Sequence, residues 1–355
     1  AWHGIEPQDF WDTHTHLIGT GDSDSGIYLH PNMQNKFSPA QYVRYRFYIN
    51  AGCADAGQGI DHGYVQRLRQ LLTEFPQGAK CMLLGFDYHH DEAGRRDPDK
   101  SPFHTPDAYA RRVALSAAQR FEWITSIHPY REDCVAALDE AVRQGARAVK
   151  WLPPVMGINP ASAKCDPFYA AMARHGIPLL THAGDEHAVA GVEAQSNGNP
   201  LLLRRALEHG VKVIIAHCAS EGVGIDLDKG VTGPMVSNFD LFARLMDDRR
   251  YEKNLFGEIS AMTQLNRVGP ALQTVLTRDD WHPRLVNGSD YPLPGVMPLF
   301  SVKQMAVRGY LDEAHVDYIS ALRQYNPLLF DFVLKRHLHW QGKKFSNVVF
   351  ASRRL

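Results

Sequence analysis

Asp12-Thr13-His14-Thr15-His16 is the stretch on which the fold turns. It lies within Phe10–Leu17, a stretch of strand length. Imidazoles two residues apart on a strand point to the same face. Asp12 falls on that face one layer deeper, where a structural role suits it better than ligation. Similar side chains end later apolar runs. Lys150 closes Ala148-Val149-Lys150, His182 closes Leu180-Thr181-His182, His217 closes Ile215-Ala216-His217, and Asp290 closes Gly288-Ser289-Asp290. They can meet His14 and His16 only if their strands form one ring.

The rest of the chain supplies such a ring. Strand-like runs recur at Phe10–Leu17, Lys80–Tyr88, Phe121–His128, Ala146–Leu152, Ile177–Ala183, Val211–Ala219, Leu255–Ala261 and Arg284–Asp290. Stretches with apolar residues at i, i+3 and i+4 lie between them: Tyr64–Phe75, Thr105–Arg120, Arg131–Gln144, Pro167–His175, Leu201–His209, Asp240–Asp248 and Pro270–Thr277. Gly145, Gly176 and Gly210 follow three of these stretches, the signature of a left-handed helix stop before a short αβ loop. The strands are rich in Ile, Val and Leu with little alternation, as parallel strands covered by helices should be. The pattern predicts an α/β protein, a (β/α)8 TIM barrel forming one domain over residues 1–355. Residues 18–61 read as a long loop inserted after strand 1. Residues 293–355 read as C-terminal helices (Leu299–Arg308, Glu313–Arg323, Leu328–Leu334) and a tail.

Bulk composition narrows the function. The 355 residues carry a formal net charge of −1 and contain no Lys/Arg block, so neither nucleic acid nor an anionic membrane is an expected partner. No apolar run reaches the length of a membrane span. Five scattered cysteines without CxxC spacing argue against a disulfide framework or a thiolate zinc site. A small-molecule substrate is expected, and homo-oligomerisation is left open. So is the compartment: cytoplasm or, for a chain that has lost an upstream signal peptide, periplasm.

Histidines ending buried strands suit a divalent cation. Buried Asp290 needs a cation or a partner, and serves as ligand, general base or both. Lys150 at a barrel mouth is costly as an isolated ammonium. It has three outlets: a salt bridge, an anionic substrate, or a carbamate formed with CO2. Substrate contacts are expected from His128 and Arg131 after strand 3 and from Glu258 on strand 7. The run Tyr42-Val43-Arg44-Tyr45-Arg46-Phe47-Tyr48 is either a lid over an anionic aromatic substrate or a segment packed on the barrel.

As a set, HxH on strand 1, Lys on strand 4, His on strands 5 and 6 and Asp on strand 8 resemble the amidohydrolase superfamily of metal-dependent barrel enzymes. Val149-Lys150-Trp151-Leu152-Pro153-Pro154 is similar to the strand-4 segment of dihydroorotase-type members. Asn287-Gly288-Ser289-Asp290-Tyr291-Pro292 resembles the amidohydrolase-2 branch of aminocarboxymuconate-semialdehyde decarboxylases, hydratases and lactonases. The first likeness implies two metals bridged by carbamylated Lys150, with His14, His16 and Asp290 on one and His182 and His217 on the other. The second implies one zinc on His14, His16, His182 and Asp290, with His217 free to act on substrate or water. The resemblance implies hydrolysis of an amide, ester or lactone by a metal-activated water, with Asp290 moving its proton. The alternative is non-oxidative decarboxylation or hydration of a small carboxylic acid on a single zinc.

Overall fold

The computed structural model describes residues 1–52, 57, 59–188 and 194–354. Cys53, and with it part of the 18–61 insertion, lies outside them. The strands are β1 Trp11–His16, β2 Lys80–Leu84, β3 Phe121–Ile124, β4 Val149–Trp151, β5 Leu179–His182, β6 Val213–Ala216, β7 Leu255–Glu258 and β8 Leu285–Val286. Strands β1–β3 pair in parallel as one sheet and β4–β8 as another, each beside its neighbour in sequence. Two seams join the sheets. Between β3 and β4, Thr125 N donates to Ala148 O at 3.0 Å and Lys150 N to Thr125 O at 2.7 Å. Between β1 and the residues after β8, Thr13 N donates to Asn287 O at 3.2 Å and Asp290 N to His14 O at 2.8 Å. Backbone hydrogen bonding therefore runs through all eight strands and returns to the first, which is the (β/α)8 topology.

Alternate strand residues divide between two cores, as the period-2 geometry of a strand requires. Met82, Leu84, Ile124, Ala148, Leu180, Ile214, Ala216 and Val286 fill the barrel interior. Cys81, Leu83, Val213 and Ile215 face the helix layer instead. The helices longer than four residues are α1 Pro39–Gly52, α2 Ile60–Leu72, α3 Asp107–Leu115, α4 Cys134–Arg143, α5 Asp166–His175, α6 Arg204–Glu208, α7 Asn238–Asp247, α8 Pro270–Thr277, α9 Val302–Val307, α10 Val316–Tyr325 and α11 Pro327–His337. Helix α4 buries Cys134, Leu138 and Ala141, the i, i+4, i+7 stripe that attaches it to the sheet. Gly145 and Gly176 take φ of +90° and +64° after α4 and α5, the left-handed stop that a Cβ would strain.

The structure departs from the sequence reading at three places. The strands are shorter than their apolar runs: β2 stops at Leu84, and β8 stops at Val286. The 18–61 insertion is not all loop, because α1 carries the aromatic-basic run, and Tyr28–Leu29 pairs antiparallel with Phe103–His104. The register of β1 shifts between Asp12 and Thr15. Asp12 consequently pairs with Cys81, a helix-side position, and does not share the face of His14 and His16. Cys218 lies in the turn after β6, buried, with its Sγ 3.6 Å from Glu258 O. No helix among the described residues is long and apolar enough to cross a membrane.

Candidate metal centre

The C-terminal ends of the strands converge on one point. His16 Nε2 lies 3.1 Å from Asp290 Oδ1, and His14 Nε2 lies 3.3 Å from the same oxygen. Ligand atoms at about 2.0–2.1 Å from a tetrahedral zinc sit roughly 3.4 Å apart, so this spacing suits ligands of one cation. His182 Nε2 is buried without a hydrogen-bond partner, and His182 lines the same cavity. An orphaned buried nitrogen that lines the same cavity as three convergent donors is free to bond a metal there. The residues therefore fit a divalent cation. His217 Nε2 lies farther off, 3.7 Å from Asp290 Oδ2.

Tautomers follow from the hydrogen-bond acceptors behind the site. Glu258 is fully buried, and its Oε2 lies 3.1 Å from His14 Nδ1. Ser260 Oγ donates to Glu258 Oε2 at 2.7 Å. That hydroxyl then accepts from His217 Nδ1 at 2.8 Å, with Ser260 O a second acceptor at 3.1 Å. Both imidazoles thus carry their proton on Nδ1 and offer a lone pair on Nε2, the arrangement by which outer carboxylates orient ligand histidines. Burial and neighbouring Lys150 hold His14 well below the usual histidine range. Burial pushes His217 down to about 3, and burial with neighbouring His217 lowers His182 as well. Neutral rings are the form that binds metal. Burial opposes ionisation of Asp290, the hydrogen bond from His16 favours the carboxylate, and the carboxyl lies well below its ordinary value.

The backbone at these strand ends is strained. His217, Cys218 and Ala219 take φ of +56°, +49° and +49°, Ala261 +55° and Asp290 +58°. Residues with a Cβ occupy this region at a cost of about 1–3 kcal/mol each unless the surroundings impose it, and such positions cluster at functional sites. Each lies just past the C-terminal end of a strand, or within a few residues of it, and two of them, His217 and Asp290, line the cavity.

The centre opens into a cavity of about 290 Å3. His14, His16, Lys150, His182, His217 and Asp290 all line it, as do Arg44, Tyr45 and Tyr48 from α1 and Gln264 and Arg267 beyond β7. Tyr48 Oη donates to Ala188 O at 2.6 Å, which ties α1 to the loop after β5. Arg44 Nη1 is buried with no hydrogen-bond partner. Arg267 is paired with Glu221 at 3.0 Å. Lys150 Nζ sits 3.0 Å from His14 Nε2, and burial lowers its amine to about 8 against the pull of Asp290 and Glu258.

None of the three residues expected at the substrate lines this cavity. His128 is fully buried, with Nε2 3.0 Å from Met156 O, and its ring packs on His90. Arg131 pairs with Asp87 at 2.9 Å and with Asp133 at 2.8 Å, which steadies the turn before α4. Glu258 faces the barrel axis but spends its oxygens on His14 and Ser260. Ser260, Gln264 and Arg267 escaped the sequence reading. Glu-x-Ser at the end of a strand was the available signal for the first; the other two lie in a loop without periodicity.

Comparison with known proteins agrees with this architecture. The family model described as amidohydrolase matches residues 11–305. An uncharacterized TIM-barrel protein from Bordetella bronchiseptica superposes with a TM-score of 0.53 at 14% identity, covering 91% of this chain and 99% of that one. The 5-carboxyvanillate decarboxylase of Sphingomonas paucimobilis gives 0.51 at 10% identity, covering 97% and 95%. A probable 2-pyrone-4,6-dicarboxylic acid hydrolase from Acinetobacter baumannii gives 0.49 at 15%, covering 96% and 99%. No curated protein matches the chain by sequence. With the family model spanning most of its length and the barrel in place, the chain belongs to the amidohydrolase family.

Proposed function

We propose that the chain is a metal-dependent hydrolase acting on an ester, lactone or amide bond of a small molecule that carries an anionic group. The observation behind this reading is the convergence of His14 Nε2, His16 Nε2 and Asp290, with the orphaned His182 Nε2 on the same cavity. Those four side chains are the proposed holders of a divalent cation, zinc by ligand type, which supplies Lewis acidity toward a water or substrate oxygen. Asp290, kept ionised, accepts the proton of the attacking water and passes it to the leaving group. His217 presents an Nε2 lone pair, so it acts as an acceptor or as a holder of a second cation, and polarises a carbonyl only if protonated. Arg44 turns its unpartnered nitrogen to the substrate's anionic group.

Lys150 belongs to the same proposal as a carbamate. Its neutral amine attacks CO2, a nitrogen proton leaves to solvent, and an ammonium site becomes a carboxylate. The lowered basicity of the buried amine favours this step. A second reading, decarboxylation or hydration of a small carboxylic acid on one zinc, is favoured by the same Arg44 and by Lys150 acting unmodified as a cation. A screen of lactones, esters and N-acyl compounds, with CO2 release followed in parallel on aryl carboxylates, separates them. Bond hydrolysis without CO2 release supports the first; CO2 release without hydrolysis replaces it with the second.

A further inference from the structure

We infer that Lys335, on the C-terminal helix α11, is a positioning residue for the metal centre: its buried ammonium holds the Gly288 carbonyl and through it the corner that carries Asp290. The inference rests on the metal-site reading given above. It concerns a residue beyond the segment matched by the family model, residues 11–305.

Lys335 is 1% exposed, as is Asp331 one helical turn before it. Lys335 Nζ donates to Asp331 Oδ2 at 2.6 Å and to Gly288 O at 2.6 Å. Gly288 stands where nothing larger fits: a Cβ there would meet Glu258 Oε1 at 2.3 Å and His14 Cβ at 2.8 Å. The corner after it is fastened to β1. Ser289 N donates to Asp12 Oδ1 at 2.8 Å, and Asp290 N donates to His14 O at 2.8 Å. Lys335 fastens it from the helix side. Such two-sided support is what a residue with φ of +58°, Asp290, requires.

The pair is a poor device for stability alone. Replacing a buried ion pair by apolar residues of similar volume is often neutral or stabilising, whereas removing one partner leaves an uncompensated charge. A cationic side chain reaching from α11 into the corner beside Asp290 is explained by placement. It sets one carbonyl and, with it, the direction of the carboxylate that faces His14 and His16.

Two variants test this: Lys335→Met, and the double variant Lys335→Met/Asp331→Leu, which removes the pair without leaving an orphaned charge. The readouts are Co2+ affinity and the visible absorption of the Co2+ form, together with amide hydrogen exchange over residues 288–291 in the metal-free protein. The double variant is expected to melt at or above the single. Both should bind Co2+ about 10–100-fold more weakly, the usual effect of losing an outer support, with a changed absorption spectrum and faster exchange at the corner. A folded double variant with wild-type Co2+ affinity, spectrum and exchange overturns the proposal. So does the failure of both variants to fold, which would make the pair a structural element. A wild-type chain that binds no Co2+ removes the metal reading instead, and exchange at 288–291 then decides the role of Lys335 separately.

Discussion

Lys150 Nζ lies 3.0 Å from His14 Nε2, the nitrogen that faces the candidate cation site. An ammonium so placed would repel a metal bound at that nitrogen, which is the physical case for converting it to a carbamate. Native mass spectrometry of protein kept in bicarbonate should show one added CO2 per chain, lost on acidification. Lys150→Met should fold yet lose at least about 10²-fold in kcat, the scale of a missing chemical group at the reacting centre. Formate or acetate should restore part of that activity. A native mass without the adduct in a fully active hydrolase would contradict the carbamate.

Asp290 is assigned the proton transfer. Asp290→Asn retains an oxygen toward His16 and His14 but no longer accepts a proton. The expected result is a bound metal, weakened by no more than about 100-fold, with kcat reduced at least about 10²-fold. Metal titration and turnover on one preparation separate the two effects. Near wild-type turnover would take Asp290 out of the chemistry.

Glu258 faces His14 Nδ1 and does not line the cavity, so it is assigned to orienting His14. Glu258→Gln would set an amide NH2 or a weaker oxygen against His14 Nδ1 and Ser260 Oγ, disturbing the tautomer that leaves Nε2 free. Competition with a chelator should show metal affinity down about 10–100-fold, while KM of the metal-saturated variant stays within a few fold. A large rise in KM with unchanged metal affinity would return Glu258 to the substrate.

Arg44 is assigned the anionic end of the substrate. Losing a hydrogen bond to a charged group costs about 1.5–3 kcal/mol, so Arg44→Met should raise KM about 10-fold or more for an anionic substrate. A neutral analogue should be affected far less. Equal losses on both would show that Arg44 only supports the fold of α1.

Much of this arrangement was legible in the chain because a barrel makes it so. His14, His16, Lys150, His182, His217 and Asp290 each lie toward the end of a stretch of strand length, and closing eight strands into a ring brings such ends together at one rim. What escaped depends on single-residue register. The shift between Asp12 and Thr15 moved Asp12 off the histidine face, and no periodicity announces a bulge. The face of Glu258 is set by its pairing with Val286, which a strand of unknown register does not reveal. His128 and Arg131 sit at a strand end like the residues of the candidate metal centre, but His128 is absorbed by Met156 O and Arg131 by Asp87 and Asp133. Lys335 was hidden in an apolar helix, where only the Asp-x-x-x-Lys spacing with Asp331 hinted at a buried pair.

The most direct measurement is metal content by elemental mass spectrometry, on the wild-type chain and on His16→Ala and Asp290→Ala, after zinc loading and desalting. The account predicts at least one divalent cation per chain in the wild type and a small fraction of that in each folded variant. A wild-type protein that retains no metal, or variants that keep the full complement, would contradict it.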